Sequence, residues 1–140
     1  MKILIVDDEE MSLELLDYNL KNEGYTVYTS TNGEEALKIV KTKKLDLIIS
    51  DIMMPYKSGI ELLDIIKNNL DKPIPFILTS AINEDEITAK SFELGANDFI
   101  IKPINFNELL PKIKRILQFK ETKANWEYKS SIDSGESISY

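Results

Sequence analysis

The amino-acid sequence predicts an α/β domain in which helices cover both faces of a parallel β-sheet. Short apolar runs recur along the chain, and segments with the apolar spacing of a helix separate them. All but the second of these runs are almost continuously apolar, which is typical of strands buried on both faces. Five strand–helix units within about the first 119 residues leave room only for short connections. Such regular crossovers favour parallel strands.

The five predicted strands follow directly from the apolar runs. They are residues 3–6, 26–29, 45–50, 76–80 and 99–102. The intervening helices are predicted from apolar residues that share one helical face. These are Leu13, Leu16 and Leu20, then Ala36, Ile39 and Val40, and then Leu62, Ile65 and Ile66.

Several helix ends are also visible in the sequence. Four pairs of Asn or Ser with Glu three residues later predict helix starts: Asn32–Glu35, Ser58–Glu61, Asn83–Glu86 and Asn105–Glu108. Gly24 and Gly95 stand where a helix turns back toward a strand. Pro111 lacks an N–H and crowds the preceding turn, so it predicts a late start or a kink in the last helix.

The composition excludes several classes of function. The 140-residue chain contains no Cys and no His, which rules out disulfides, thiolate metal sites and cysteine nucleophiles. Any reaction that needs an imidazole would have to use one supplied by another molecule. The net charge of −7 argues against a nucleic-acid-binding face. No apolar run approaches the roughly 20 residues of a membrane span, and the N-terminal run is too short for a signal peptide, so we expect a cytoplasmic protein.

The sequence divides into one domain and a polar end. Residues 1–119 carry the strand and helix pattern, and their number suffices for one domain with a real core. Residues 120–140 lose the pattern and are rich in Ser, so we expect a polar C-terminal tail or linker there.

Polar side chains follow four of the five predicted strands. Asp7 and Asp8 follow the first strand, and Asp51 ends the third. Ser80 ends the fourth strand and Lys102 the fifth. Ligands bind at the carboxyl ends of the strands in an open parallel sheet, so these are candidate site residues. If the first and third strands are neighbours, the three acids converge in one shallow cleft.

Each candidate residue has an ordinary structural alternative. Asp8 could cap the first helix, and Asp51 could be a turn residue. Ser80 could be a satisfied hydroxyl at a strand end, Lys102 a solvated lysine and Phe99 a core residue. A functional site is favoured because all of these residues fall at the same edge of the predicted sheet.

The electrostatics of three neighbouring acids indicate a cation. Two carboxylates about 4 Å apart repel by about 4 kcal/mol at an effective dielectric constant near 20. A divalent cation removes that penalty, and an all-oxygen ligand set suits Mg²⁺ or Mn²⁺ better than zinc. Such a site normally holds a phosphate, for which Lys102 offers a positive charge. With no Cys or His in the chain, Asp51 is the natural nucleophile, since a carboxylate can form an acyl phosphate.

These residues resemble the receiver domain of two-component response regulators, in the superfamily of chemotaxis-regulator-like proteins. The resemblance covers residues 1 to about 119. Its motifs are Asp7-Asp8, Asp51-x-x-x-Pro55-x-x-x-Gly59, Ser80-Ala81, Gly95-Ala96 and Lys102-Pro103. It implies a flavodoxin-like (βα)5 fold, a doubly wound five-stranded sheet of order 2-1-3-4-5. It also implies Mg²⁺ bound by Asp8 and Asp51 directly, by Asp7 largely through water, and by the backbone carbonyl of Met53.

The resemblance implies a signalling function and no enzyme activity on a separate substrate. Asp51 would accept a phosphoryl group from a phosphohistidine on a sensor histidine kinase or a histidine phosphotransfer protein, and the domain would promote its own phosphorylation and dephosphorylation. Lys102 and the Ser80 hydroxyl would bind phosphoryl oxygens, and Phe99 would swing inward behind Ser80. The surface of the fourth helix, fifth strand and fifth helix would then change toward an unknown output domain or target. The same surface allows a phosphorylation-dependent homodimer.

Some positions depart from the family pattern. Asn97-Asp98 stands where many relatives carry two aspartates, which weakens any inference about a particular dimer surface. Phe99 replaces a tyrosine and so lacks a hydroxyl. Met53 and Ile82 flank the site where many relatives carry polar residues. We hypothesise that this apolar pair hinders the hydrolytic water and prolongs the lifetime of the phosphoryl group.

Other functions fit the sequence less well. A pseudo-receiver, an interaction module with this fold but without phosphorylation, would be expected to lack a carboxylate or the lysine. An aspartyl-phosphate hydrolase usually has a second carboxylate two residues after the nucleophile, where this chain has Met53. A nucleotide-binding switch protein would need a G-x-x-x-x-G-K-[ST] loop, which the sequence lacks. The pseudo-receiver is therefore the main alternative.

Overall fold

Strands and helices alternate strictly in the structure, a computed structural model that describes residues 1–69 and 73–133. The strands are β1 (Lys2–Val6), β2 (Thr26–Ser30), β3 (Leu47–Asp51), β4 (Phe76–Ser80) and β5 (Asp98–Ile101). The helices are α1 (Glu10–Asn22), α2 (Gly33–Thr42), α3 (Gly59–Asn69), α4 (Asp85–Glu93) and α5 (Phe106–Asp133). The predicted succession of elements is confirmed. Across the described ranges, every helix falls short of the length and apolar character that a membrane crossing requires.

The five strands form one parallel sheet in the order β2-β1-β3-β4-β5. This confirms the doubly wound, flavodoxin-like order that the resemblance implied. In the register of β1 and β3, Val6 lies opposite Ser50, so the residues that follow these two leave the sheet side by side. The strand order reverses at β1 and β3, which opens a crevice at the carboxyl edge of the sheet.

Two apolar layers enclose the sheet because successive strand residues point to opposite faces. In β1, Ile3 and Ile5 pack with residues of α1 and α5, whereas Leu4 and Val6 pack with residues of α2 and α3. All four side chains are fully buried. Burial on both faces explains why the strand sequences are continuously apolar and do not alternate with polar residues.

Of the four predicted polar helix starts, three are confirmed and the one at Asn83 is wrong. The side-chain oxygens of Asn32 and Ser58 accept hydrogen bonds from the backbone N–H three residues later, at 2.9 and 3.1 Å. Asn83 does not cap α4, because that helix begins one residue later than the pairing requires, and its N-cap side chain makes no capping bond. Gly24 and Gly95 follow helix ends with φ of 92° and 107°, as predicted.

Helix α5 is longer than the sequence predicted. It begins at Phe106, where the side chain of Asn105 accepts a hydrogen bond from the second helical N–H at 2.9 Å. The late start predicted from Pro111 is therefore wrong, while a kink stays a prediction. The last side chain of α5 that is buried among the described residues is Leu117, yet the helix continues to Asp133. Residues 134–140 of the expected tail lie outside the described residues, and the domain boundary at residue 119 stays a prediction.

Candidate functional site

Three carboxylates meet at the carboxyl edge of the sheet. Asp7 and Asp8 follow β1, Asp51 ends β3, and one oxygen atom from each lies within 4.8 Å of the other two. Asp7 and Asp51 are buried, with exposed fractions of 1% and 6%, whereas Asp8 is exposed. The adjacency of β1 and β3 thus brings together the acids that the sequence placed at neighbouring strand ends.

Lys102, directly after β5, supplies a positive charge to two of these acids. Its Nζ donates hydrogen bonds to Oδ2 of Asp7 at 2.8 Å and to Oδ2 of Asp51 at 3.0 Å. The Lys102 side chain is only 13% exposed, so the alternative of a solvated lysine is wrong. With three acids and one base, the cluster keeps a surplus of negative charge.

Burial and charge both shift the pKa values of the cluster. Burial is the largest influence on Asp51 and raises the pKa of its carboxyl; the contact with Lys102 opposes this increase without cancelling it, and the charge of Asp7 adds to it. For Lys102, burial lowers the pKa of the ammonium, but the hydrogen bonds and charges of Asp7 and Asp51 outweigh burial and raise it. Lys102 therefore stays charged, and a further cation would stabilise the ionised acids.

Backbone N–H groups contact the remaining oxygens of the two buried acids. Oδ1 of Asp7 accepts a hydrogen bond from the N–H of Glu9 at 2.9 Å, and Oδ1 of Asp51 accepts a longer one from the N–H of Met53 at 3.4 Å. The Asp51 contact is that of an Asx turn, so Asp51 fulfils the turn role as well as its contact with the lysine. Asp8 does not cap α1, whose N-cap residue is Glu9, and that alternative is wrong.

Gly59 allows helix α3 to begin directly against the backbone of Asp51. A Cβ atom at position 59 would stand 2.2 Å from the backbone oxygen of Asp51 and 3.0 Å from the Cα of Ile52. The N–H of Gly59 also donates to the carbonyl of Ile52 at 2.9 Å. The spacing of Asp51 and Gly59 in the sequence motif thus has a steric cause, because any other residue would push α3 away from the acid site.

Ser80 and Phe99 stand on the two strands beyond Asp51. Asp51 is paired with Thr79 in the register of β3 and β4, which puts Ser80 one residue nearer the carboxyl edge. Ser80 is buried, and its Oγ accepts a hydrogen bond from the N–H of Ile82 at 3.0 Å. Phe99 is buried in the apolar layer that packs on α2 and α3. Its alternative reading as a core residue therefore fits, and its inward swing stays a prediction.

The donor set fits the predicted metal. All three clustered side chains are carboxylates, and the backbone carbonyl of Met53 lies two residues after Asp51 in the chain. Oxygen ligands with one exposed member, Asp8, which leaves room for water, suit Mg²⁺ or Mn²⁺. The side chains of Met53 and Ile82 are 62% and 36% exposed, so the apolar pair lies at the surface of the protein.

A second charged cluster was missed by the sequence reasoning. Asp98 is buried at the start of β5, and its carboxylate accepts hydrogen bonds from Lys112 at 2.8 Å and from Arg115 at 2.9 Å. The sequence signal was present, since an acid opens a strand and two cations stand three residues apart on the next helix. In the sequence alone, Asn97-Asp98 stands out only as a departure from the family pattern.

Sequence comparison identifies relatives over most of the chain. A sequence model of the family described as the response regulator receiver domain matches residues 3–114. The alkaline phosphatase synthesis transcriptional regulatory protein PhoP of Bacillus subtilis is 41% identical over 123 residues, which cover 88% of this chain and 51% of that relative. The transcriptional regulatory protein YvrH of Bacillus subtilis is 39% identical over 131 residues, which cover 90% and 54%. The chain spans about half the length of the curated relatives it matches.

Solved structures share the fold. A two-component response regulator from Clostridium difficile has a TM-score of 0.80 and 31% identity, covering 84% of this chain and 96% of that chain. The response regulator protein TrrA from Thermotoga maritima, solved in complex with Mg²⁺-BeF, has a TM-score of 0.72 and 40% identity, covering 82% and 97%. Together with the family match, these likenesses show that the chain belongs to the receiver domains of two-component response regulators, a family of signalling domains.

Proposed function

We propose that Asp51 accepts a phosphoryl group from a phosphohistidine on a sensor histidine kinase or a histidine phosphotransfer protein. The observation that supports this most is the buried carboxylate of Asp51, which shares Lys102 with Asp7 and so remains under-neutralised. A buried carboxylate with a purely structural role needs full pairing, because its desolvation is costly. The chain has no His, which agrees with a donor imidazole that comes from another molecule.

The proposed reaction needs alignment and charge neutralisation more than covalent help from the protein. An oxygen of Asp51 forms the new O–P bond while the P–N bond to the donor histidine breaks, and the imidazole keeps the electron pair of that bond. Asp7, Asp8, Asp51 and the Met53 carbonyl would hold Mg²⁺, which would neutralise charge on the carboxylates and the phosphoryl oxygens. Lys102 exchanges a carboxylate contact for a phosphoryl oxygen, since its Nζ lies 3.0 Å from Oδ2 of Asp51.

The proposed switch runs from Ser80 to the face formed by α4, β5 and α5. The Ser80 hydroxyl accepts its bond from Ile82 and so retains its own proton for donation to a phosphoryl oxygen. A bond to the phosphoryl group would draw Ser80 outward and bias the packing of Phe99 behind it. The names of the relatives PhoP and YvrH describe transcriptional regulators, which favours an output domain or target that acts on transcription.

Intact mass after incubation with acetyl phosphate tests the proposed function. Wild type should gain the mass of one phosphoryl group only when Mg²⁺ is present, and Asp51→Asn should gain none under either condition. If wild type gains no mass at any Mg²⁺ concentration, the pseudo-receiver is favoured and the acid cluster is a metal or partner site. If Asp51→Asn gains the same mass as wild type, another residue is the acceptor.

A further inference from the structure

The start of helix α2 lies against the loop that follows Asp51, which we call the β3–α3 loop (residues 52–58). Gly33 is the first residue of α2 and is buried. A Cβ atom on Gly33 would stand 2.6 Å from the backbone oxygen of Lys57 and 2.7 Å from the Cβ of Lys57. Both distances are shorter than real Cβ contacts, and neither partner atom lies at the end of a flexible side chain. A side chain at position 33 would therefore force the start of α2 or the loop to shift.

The loop turns sharply where it meets Gly33. The N–H of Lys57 donates to the carbonyl of Pro55 at 2.8 Å across Tyr56, whose φ is 68°. A residue other than glycine rarely holds this left-handed backbone conformation unless its surroundings impose it. The Tyr56 side chain is 83% exposed, so contacts of that side chain do not impose the conformation. The hydrogen bond across Tyr56 closes this turn, and the backbone of Lys57 lies directly against Gly33.

The residues just before Gly33 are hydrogen-bonded to the backbone of Asp7, on the other side of the cleft. The N–H of Asp7 donates to the carbonyl of Ser30 at 3.1 Å. The hydroxyl of Ser30, which is buried, donates to the carbonyl of Asn32 at 2.7 Å and accepts from the N–H of Asn32 at 3.3 Å. Residues 30–33 thus form a short spacer with one end bonded to Asp7 and the other against the β3–α3 loop.

From this geometry we infer that residues 30–33 set the separation between the two sides of the acid site, with Gly33 as the positioning residue. The inference rests on the proposed function, since it concerns how Asp51 and the Met53 carbonyl are held for Mg²⁺. A side chain at position 33 displaces the β3–α3 loop, and with it Met53, relative to Asp7. Because Mg²⁺ demands near-ideal octahedral geometry, this displacement lowers metal affinity.

Calorimetric titration of the full chain with Mg²⁺ alone tests the inference. Gly33→Ala is expected to raise the dissociation constant for Mg²⁺ by about tenfold, the lower end of what a lost supporting contact costs a metal site. The matched control is Val40→Ala, which removes buried apolar atoms from the same helix. That control should lower the melting temperature and leave the dissociation constant at the wild-type value. An unchanged constant in Gly33→Ala, or an equal rise in both variants, overturns the inference.

A second pair of variants changes Lys57, the loop residue that contacts Gly33. These variants test the inference by Mg²⁺ affinity even if Gly33→Ala does not fold. Lys57→Gly removes the Cβ that faces Gly33, whereas Lys57→Ala keeps that Cβ and removes the same charge. Lys57→Gly is expected to bind Mg²⁺ more weakly than Lys57→Ala, and equal affinities overturn the inference. If wild type binds no Mg²⁺, the metal part of the proposed function fails first; if wild type binds it and only the variant comparison fails, the proposed function stands.

A kinetic readout separates positioning from general destabilisation. Phosphorylation by acetyl phosphate is measured in Gly33→Ala as a function of Mg²⁺ concentration. The concentration that gives half of the maximal rate should rise with the dissociation constant, while the rate at saturating Mg²⁺ falls less. A loss confined to the saturated rate, with an unchanged half-maximal concentration, contradicts a positioning role for Gly33.

Discussion

Two buried aspartates in this molecule have opposite charge environments. Asp51 ends β3 in a cluster where three acids share one lysine, Lys102. Asp98 opens β5 and is paired with two cations, Lys112 at 2.8 Å and Arg115 at 2.9 Å. The exposed fractions of the two aspartates are almost equal, at 6% and 7%. The difference between them therefore lies in charge balance and in the edge of the sheet that each occupies.

Burial alone does not distinguish a functional carboxylate from a structural one. Two cations contact the single negative charge of Asp98, so a further cation would not stabilise it. These contacts join β5 to α5. Asp51 has less positive charge than its neighbourhood needs, so an incoming cation stabilises its ionised form. The balance of charges thus supports the proposal that Asp51 is the reactive carboxylate, whereas Asp98 has the full pairing of a structural one.

The largest expected effect is on the rate of phosphorylation, which should depend on Lys102 and not on Lys112. Lys102→Met should slow phosphorylation by acetyl phosphate at saturating Mg²⁺ by about 100-fold, or about 2.7 kcal/mol, because it removes the positive charge nearest the acceptor. Lys112→Met, the matched change in the other cluster, should retain the wild-type rate within about a factor of two. The rates are measured by intact mass over time. Equal losses in the two variants would break the comparison.

Removal of the structural aspartate should chiefly affect stability. Asp98→Asn loses charge-assisted bonds to Lys112 and Arg115, and we expect the free energy of unfolding to fall by about 2 kcal/mol. The loss stays moderate because both cations can reach solvent, their side chains being 27% and 70% exposed. Urea denaturation without metal measures it. A free energy of unfolding equal to that of wild type would show that the contacts of Asp98 with Lys112 and Arg115 do not stabilise the fold.

Mg²⁺ should stabilise the fold only by binding to the acid cluster of Asp7, Asp8 and Asp51. A site with a dissociation constant of about 1 mM contributes about 1.4 kcal/mol at about 10 mM Mg²⁺, which raises the melting temperature by about 5 °C. The increase should be smaller in Asp51→Asn and unchanged in Asp98→Asn. Thermal melts with Mg²⁺ and with a chelator provide the measurement. The same increase in all three proteins would place the metal elsewhere.

The pH dependence of stability should reveal the cost of ionising the buried Asp51 carboxyl, to which repulsion from Asp7 adds. Burial raises the pKa of the Asp51 carboxyl above its ordinary value of 3.8, so the folded state holds that proton more tightly than the unfolded state. The ionised carboxylate then costs stability, a cost that is absent below pH 3.8 and complete above the raised pKa. Asp51→Asn without metal should therefore become increasingly more stable than wild type as the pH rises through this window. If the variant melts below wild type at neutral pH, the cost of ionising Asp51 is not the dominant contribution.

The smallest expected effect concerns Met53 and Ile82, the apolar pair that flanks Asp51. Met53→Asn should accelerate loss of the phosphoryl group about threefold, or about 0.6 kcal/mol, because the polar side chain can orient the hydrolytic water. The rate is followed by intact mass after removal of the donor. Met11→Asn, on the exposed surface of α1, is the matched control and should leave the rate unchanged. No acceleration in Met53→Asn would rule out the shielding hypothesis.

The sequence predicted those features whose cause is local or lies at a strand end. Buried strands read as apolar runs, and Asp7, Asp51 and Lys102 stood where parallel strands must terminate together. Asp98 was missed because its partners lie 14 and 17 residues away on a helix, and no strand-end rule connects them. Contacts such as that of Gly33 with Lys57 arise only when two loops meet in the folded chain.

Helix α5 was underestimated for a different reason. The sequence after residue 119 lacks regularly spaced apolar residues, and such spacing was the signal for the other helices. A helix can continue without such spacing once its earlier turns are packed, so the sequence of its far end resembles a polar tail. The start of α4 was misplaced at Asn83 because a capping pair in the sequence does not show whether the backbone caps there.

Because α5 continues well past Leu117, a small tilt of this helix moves its far end by a larger distance. From Leu117, its last buried side chain among the described residues, to Asp133 there are 16 further residues (133 − 117), which at 1.5 Å per residue span about 24 Å. A tilt of about 10° at Leu117 would move the far end by about 4 Å. A small tilt of α5 beside β5 would thus displace its far end, sixteen residues later, by about the width of a side chain.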